Sequence, residues 1–139
     1  MKSRELMHEG IEMMPPETPL AKLAQKMRDM DIGAIPVGTK DSIKGIVTDR
    51  DITIRAVANG KDIGKLTAAD VMTKGAVCCR DDEKVSDVLD MMEKRKIRRI
   101  PVMDEDQRLV GMISLGDISH AVSGRMTAEI MRAVSAHHR

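Results

Sequence analysis

Two short stretches of the chain place an aspartate three residues after a hydroxyl residue, a spacing that could hold a nucleotide. Thr48 and Asp51 lie in GIVTDRDI, and Ser114 and Asp117 lie in the closely similar GMISLGDI. Where a helix begins, a hydroxyl and free backbone N–H groups can hold a phosphate, and a carboxylate can accept both hydroxyls of a ribose. The same spacing is also a capping-box pattern that only closes the first helical turn. Both interpretations stay open on these residues alone.

The two stretches belong to an internal repeat. An offset of 65 residues aligns Met7 with Met72, Gly10 with Gly75, Met27 with Met92, Ile32 with Ile97, and Ile-Pro-Val at 35–37 with Ile-Pro-Val at 100–102. One extra residue before Gly111 raises the offset to 66, as expected for an insertion in a turn. The chain therefore consists of two copies of one structural unit.

Each copy predicts a short strand followed by an amphipathic helix. The strands are expected at residues 11–14 and 76–79, which are apolar and bounded by polar residues or proline. In the first helix Thr18 is expected to cap, with Pro19 at the first helical position. The apolar residues that recur with helical spacing are Leu20, Leu23, Ala24 and Met27 in the first copy and Val85, Val88, Leu89 and Met92 in the second.

A hairpin and a second helix complete each copy, which predicts the order β-α-β-β-α. The hairpins are expected to pair residues 34–37 with 43–48 and 99–103 with 109–114. The second helices are expected from about Asp49 to the stop signal Asn59-Gly60, and from about Leu115 toward Gly124.

A last helix is expected in residues 126–139, where Ile130, Met131 and Val134 share a helical period. The His137-His138 pair reads as a solvated end, because neighbours in a helix do not face each other. These patterns predict an α+β protein with repeats at 1–66 and 67–124 and a tail at 125–139.

Composition excludes several functions. The 139 residues carry 23 basic and 22 acidic side chains, so no overall field favours nucleic acid or an anionic membrane. The chain has no Phe, Tyr or Trp, which removes the stacking platforms of single-strand and RNA binding. No long apolar run or signal-like start is present, so we expect a cytoplasmic protein without a membrane segment. With no Cys/His or Ser/His pairing, glycine-rich phosphate loop or metal cluster in view, an enzyme is disfavoured.

The Ile-Pro-Val strands and the strand-to-helix turns, each occurring twice in register, resemble a tandem pair of CBS domains. The resemblance extends to about Gly124 and is closest to the small stand-alone bacterial CBS-pair proteins. It implies two β-α-β-β-α repeats packed about a pseudo-two-fold axis, with two clefts that commonly take adenine nucleotides or adenosyl compounds such as S-adenosylmethionine. It also implies a homodimer and no required cofactor or metal.

The resemblance assigns ligand-binding residues to both clefts. Thr48 and Asp51 would hold phosphate and ribose in one cleft, and Ser114 and Asp117 in the other. The apolar walls would be Ile35, Pro36, Ile100 and Pro101, with Met13 and Cys78 nearby. Arg98 and Arg99 would serve the nucleotide whose ribose Asp51 holds, with Arg50 as a third cation, although Arg98 and Arg99 could instead belong to the cations that suit a helix C-terminus. Leu115-Gly116 replaces Asp49-Arg50 beside Ser114, which disfavours anion binding there.

Two functions from different classes follow. The leading hypothesis is a non-catalytic regulatory sensor of an adenine nucleotide or adenosyl ligand, which signals by a conformational change. The alternative is a ligand-free dimerisation or protein-interaction module in which the repeated hydroxyl and acid are only helix caps. A thiol switch at Cys78-Cys79 is a third, weaker hypothesis.

Overall fold

The computed structural model describes residues 1–39, 42–121 and 124–136 and divides the chain into two compact units. One unit is Glu12–Ala76. The other combines Met1–Ile11 with Val77–Arg139. The first eleven residues, called the N-terminal segment below, therefore pack with the second repeat, although they precede the first. The sequence boundaries at 66/67 and 124/125 stay predictions.

The unit Glu12–Ala76 contains one long helix, a hairpin and several short elements. They are α1 (Leu20–Met30), β1 (Ala34–Thr39), β2 (Ser42–Thr48), α2 (Asp49–Asp51), a π-helix (Ile52–Val57), a 3-10 turn (Ile63–Lys65), α3 (Ala68–Val71) and β3 (Thr73–Lys74). The unit with the N-terminal segment has a matching order. Its elements are a 3-10 turn (Ser3–Glu5), β4 (Cys79–Arg80), α4 (Val85–Arg95), β5 (Arg99–Met103), β6 (Leu109–Ser114), α5 (Leu115–Ser119) and α6 (Gly124–Ala136). The expected α+β class, the two related units and the C-terminal helix are confirmed.

Both units build the same small sheet around an antiparallel hairpin. β1 pairs with β2 and β2 with β3, whereas β4 runs parallel to β5 and β5 pairs antiparallel with β6. Single bridges supply the missing member of each sheet: Met14 pairs parallel with Val37, and His8 pairs antiparallel with Met112. Both predicted hairpins are confirmed. The predicted strand at 11–14 is wrong apart from the Met14 bridge, and the one at 76–79 lies instead at Cys79–Arg80, where the carbonyl of Met103 continues the pairing by accepting from Asp81 N.

The N-terminal segment is fixed to its unit by backbone and side-chain hydrogen bonds. The buried hydroxyl of Ser3 donates to the carbonyl of Arg80 at 2.6 Å, and Ser3 N donates to Glu83 O at 2.8 Å. Farther along, His8 N donates to Met112 O at 2.8 Å, and Met112 N donates to His8 O at 3.0 Å. These bonds place His8 beside the strand that leads into the turn at Ser114.

Each unit has its own hydrophobic core, formed by the amphipathic helix against the hairpin. The predicted stripe of α4 is confirmed, since Val85, Val88, Leu89 and Met92 are all buried. In α1 three of the four predicted residues are buried, but Ala24 is exposed.

The predicted cap of α1 is wrong. Pro19, not Thr18, is the N-cap residue, and it cannot cap with a side chain. Thr18 is buried and donates its hydroxyl to the carbonyl of Pro15 at 2.7 Å, which closes the turn before the helix. The Thr18 hydroxyl therefore bonds to a residue before the helix and does not cap it.

The second helices of the repeats differ in length. The first continues from α2 as a π-helix that ends at Val57, and the turn after it reaches Gly60, whose φ of 67° fits the predicted stop signal. Bonds from Ala58 N to Thr53 O and from Lys61 N to Ala56 O span five residues and give this helix its wide turns. The second helix ends at Ser119, well before the predicted Gly124. The hydroxyl of Ser119 donates a hydrogen bond to the carbonyl of Gly116 in the last turn.

The C-terminal helix α6 begins at Gly124, two residues before the predicted start. Ile130 and Ala133 are buried and Val134 is half-buried, but Met131 is 60% exposed, so its predicted place on the apolar face is wrong. The face of α6 passes through residues 130, 133 and 134 because these follow one another at three- and four-residue steps. His137 and His138 lie outside the described residues.

Candidate functional site

Both repeated hydroxyl–aspartate pairs form complete capping boxes. Thr48 Oγ1 accepts from Asp51 N at 3.1 Å, and Thr48 N donates to Asp51 Oδ2 at 2.9 Å. Ser114 Oγ accepts from Asp117 N at 3.1 Å, and Ser114 N donates to Asp117 Oδ2 at 2.8 Å. The capping interpretation of the spacing is therefore confirmed. It accounts for one oxygen of each carboxylate, so the partners of the other oxygen decide what else each turn can do.

The outer oxygen of Asp51 has only long contacts among the described residues. Thr73 Oγ1 donates to Asp51 Oδ1 at 3.4 Å, and Arg55 Nε lies 3.8 Å from the same oxygen. Arg55 is held in place because its Nη1 donates to the carbonyls of Val71 and Met72 at 3.0 and 2.9 Å. Contacts of this length are weak, so a sugar hydroxyl could replace that of Thr73.

The outer oxygen of Asp117 is engaged much more closely. His8 Nε2 lies 2.7 Å from Asp117 Oδ1, in the range of a strong hydrogen bond. The imidazole is 71% exposed and the carboxylate 14% exposed. Both oxygens of Asp117 are therefore occupied by groups of its own unit.

Sequence reasoning missed three residues at these turns. His8, Thr73 and Arg55 contact the two aspartates but were not among the expected site residues. A signal for two of them was present, because the 65-residue offset that aligns Met7 with Met72 also aligns His8 with Thr73. Arg55 stands four residues after Asp51, the spacing of facing side chains on a helix.

Arg98, Arg99 and Ser114 are brought together around a cavity of about 380 Å³ in the second unit. Helices α5 and α6 supply the rest of its lining. Arg98 Nη2 donates to the carbonyl of Val134 at 3.2 Å, while its buried Nε has no hydrogen-bond partner among the described residues. Arg99 is exposed. That Arg98 and Arg99 contact a nucleotide whose ribose is held by Asp51 stays a prediction.

The expected apolar wall residues lie mainly inside the units. Ile35 and Ile100 have no exposed surface and belong to the two hydrophobic cores. The adjacent Pro36 and Pro101 are buried as well. Two further wall residues, Met13 and Cys78, are half-buried, and Met13 packs with its sulfur against Gly38. Their contact with an adenine stays a prediction. The last expected cation, Arg50, is exposed in the first helical turn beside Asp51.

The two cysteines are poor nucleophiles. Burial raises the pKa of the Cys78 thiol. Burial, together with the nearby charge of Glu83, raises the pKa of Cys79 to about 12. The reactive form of a cysteine is the thiolate, so neither environment favours thiol chemistry near neutral pH.

Three carboxylates meet where α6 packs on α4. Oxygen atoms of Asp90, Glu93 and Glu129 lie within 4.8 Å of one another, and Arg132 Nε lies 3.1 Å from Glu93 Oε1. Hydrogen bonding to Asp90, then burial and the charges of Asp90 and Glu93, raises the pKa of Glu129 to about 7. The Arg132–Glu93 ion pair joins α6 to α4.

The stability of α6 packing should therefore depend on pH. A carboxyl whose folded pKa is raised binds a proton more tightly in the folded state, so its contribution is full below pH 4.5 and is lost as pH rises to about 7. We expect Glu129→Gln, which stays neutral, to raise the melting temperature relative to the wild type at pH 8 but not at pH 4.5. Glu105→Gln, in an exposed turn, is the control and should follow the wild type. Equal pH profiles for Glu129→Gln and the wild type would contradict this assignment.

Within the described residues, no helix combines the length and apolar character needed to cross a bilayer.

Comparison with known proteins identifies close counterparts of both units. The family model of the CBS domain matches residues 4–57 and 68–124. Hypoxic response protein 1 of Mycobacterium tuberculosis is 32% identical over 133 residues, which cover 95% of this chain and 92% of that protein. A crystal structure of Hypoxic Response Protein I with two coordinated zinc ions is similar with a TM-score of 0.78 and 33% identity, covering 88% of this chain and 100% of that one.

A second solved structure shares the fold at lower identity. The CBS domain pair of protein MJ0100, in complex with 5′-methylthioadenosine and S-adenosyl-L-methionine, matches with a TM-score of 0.77 and 24% identity. The match covers 86% of this chain and 94% of that one.

Proposed function

Because the chain belongs to the CBS-domain family, we propose that it is a non-catalytic regulatory module that binds an adenine nucleotide or another adenosyl compound at the turn containing Thr48 and Asp51. CBS-domain pairs are regulatory. In the proposed mechanism the ligand binds one conformation of the chain better than another, and a partner protein responds to the shift. A homodimer and a cytoplasmic location are parts of the same proposal.

The observation that carries the proposal is the unequal use of the two oxygens of Asp51. Oδ2 is fixed by Thr48 N at 2.9 Å, whereas Oδ1 has partners only at 3.4 and 3.8 Å. The carboxylate is thus oriented by the cap and still able to accept hydrogen bonds from a ribose diol. Support for an adenosyl ligand comes from MJ0100, which was crystallised with two such compounds.

A phosphate or other anionic group has candidate partners at the same turn. Arg50 is exposed in the first turn of the helix, next to Asp51. Arg98 and Arg99 stay the predicted partners of the nucleotide whose ribose Asp51 holds, and the buried Nε of Arg98 has no hydrogen-bond partner among the described residues. Pro36, Ile35, Met13, Pro101, Ile100 and Cys78 are retained as proposed apolar neighbours of the adenine.

A ligand-free interaction module is the second candidate function. The complete capping boxes favour it, because they give Thr48, Asp51, Ser114 and Asp117 a structural role without any ligand. The two candidates differ in one property. Only the sensor should be stabilised by an adenosyl compound.

The first test uses the absence of aromatic residues. With no Phe, Tyr or Trp, the protein absorbs very little in the near-ultraviolet band of adenine. We expect the freshly purified protein to show that band, and mass spectrometry of the acid-released supernatant to identify the compound. Added AMP, ADP, ATP or S-adenosylmethionine should otherwise raise the free energy of unfolding, by about 2.7 kcal/mol when the free ligand is at about 100 times its Kd. A blank spectrum and unchanged melting with all four compounds would favour the interaction module.

A further inference from the structure

Positions 8 and 73 are equivalent in the two repeats, in sequence and in structure. The 65-residue offset aligns them, and each pairs antiparallel with the middle of the strand that leads into its turn: His8 with Met112, and Thr73 with Ile46. The strands show the same offset of 66 at Ile46 and Met112. Residue 8 therefore stands in the second unit where residue 73 stands in the first.

Glycines make this close approach feasible in both units. A Cβ on Gly111 would lie 2.7 Å from His8 O, and a Cβ on Gly45 would lie 2.5 Å from Thr73 O. Both distances are shorter than any normal contact, so each strand needs a glycine where the neighbouring segment lies against it. The backbone at position 8 therefore lies against its strand in the same way as the backbone at position 73, and the two positions differ in their side chains.

The side chains differ in how firmly they engage the aspartate. The His8 imidazole reaches Asp117 Oδ1 at 2.7 Å, whereas the Thr73 hydroxyl is 3.4 Å from Asp51 Oδ1. A threonine hydroxyl can rotate away from the carboxylate when a ligand approaches, but an imidazole that donates through Nε2 presents no rotatable group there. The two carboxylates are equally exposed, at 14% for Asp117 and 13% for Asp51, so the turns differ in the hydrogen-bond partner of the outer oxygen and not in solvent access.

We infer that the residue at position 8 or 73 determines whether the aspartate of its repeat can take a sugar diol: His8 closes the turn at Asp117, and Thr73 leaves the turn at Asp51 open. This inference rests on the proposed function. It predicts that the chain binds one adenosyl ligand, not two, although both repeats carry the hydroxyl and the aspartate. Through His8, the N-terminal segment thereby restricts ligand binding to the turn at Asp51.

Exchanging the two residues tests the inference. Titration calorimetry with AMP and with S-adenosylmethionine should give one ligand per wild-type chain. Thr73→His should raise the Kd at least about tenfold, as expected when the acceptor of a charge-assisted bond is blocked. His8→Thr should add a second ligand, and Asp117→Asn in that background should remove it. Thr73→Val, which keeps the size of the side chain, is the matched control and should change the Kd by less than about threefold.

The outcomes separate the inference from the proposed function. Two ligands on the wild type, an unchanged Kd for Thr73→His, or a single ligand on His8→Thr would overturn the inference while binding itself stands. No binding by any variant, with far-ultraviolet circular dichroism like that of the wild type, would overturn both. Position 73 is exposed, so Thr73→His should fold, and His8→Ala provides a second variant that opens the Asp117 turn without adding a hydroxyl.

Discussion

Asp51→Asn should weaken binding of an adenosyl ligand by about 1.5–3 kcal/mol, roughly a ten- to hundredfold rise in Kd. The amide keeps one oxygen that can accept from Thr48 N, so the capping box survives. What is lost is the charged acceptor for the sugar hydroxyls. The free energy of unfolding should fall by at most about 1 kcal/mol, because one negative charge leaves the helix N-terminus. Calorimetric titration and chemical denaturation measure the two quantities separately.

Asp49→Asn is the matched control for this variant. It removes the same charge from the same helical turn, but Asp49 is exposed, and among the described contacts its carboxylate accepts only from Arg50 N. We expect a Kd close to that of the wild type and a similar small loss of stability. If Asp51→Asn lost stability with an unchanged Kd, Asp51 would be a cap and nothing more.

Leu89→Ala should destabilise the second unit by about 2–5 kcal/mol, because the leucine is fully buried and its removal leaves a cavity. The expected pattern of amide hydrogen exchange is more informative than the loss itself. Faster exchange should appear at residues 77–121 and also at the N-terminal segment, whose amides at Ser3 and His8 bond to that unit. Mass spectrometry of peptides after exchange resolves these regions.

Leu23→Ala provides the comparison from the other core. Leu23 is equally buried on α1, so the same substitution should raise exchange in residues 12–76 and leave the N-terminal segment protected. Faster exchange of residues 1–8 in Leu23→Ala, or their unchanged protection in Leu89→Ala, would show that the segment does not belong to the second unit.

The elements that the sequence predicted well are those defined by local patterns. The stripe of α4 and both hairpins have the right bounds within a few residues, because side-chain periodicity reports directly which face is buried. Residues 11–14 have the composition of a strand, yet only Met14 finds a partner. Strand formation depends on a neighbour to pair with, which composition does not reveal.

In the candidate site, the contacts between residues close in sequence were predictable, and the contacts between residues far apart in sequence were not. The capping boxes follow from a three-residue spacing and are present in both repeats. The partners of the outer oxygens come from elsewhere in the chain: Thr73 is 22 residues from Asp51, and His8 reaches Asp117 from the opposite end of the sequence.

During synthesis on the ribosome, the N-terminal segment is made well before the residues to which it is hydrogen-bonded. Ser3 is hydrogen-bonded to Glu83, which lies 80 residues later in the sequence, and His8 is hydrogen-bonded to Met112. At about 5–20 residues per second, that first partner emerges roughly 4–16 s after the segment. The unit Glu12–Ala76 is continuous and can close before then. The second unit is complete only when this earlier segment of the nascent chain packs against it, so the unit Glu12–Ala76 can fold before the unit whose two parts flank it in sequence.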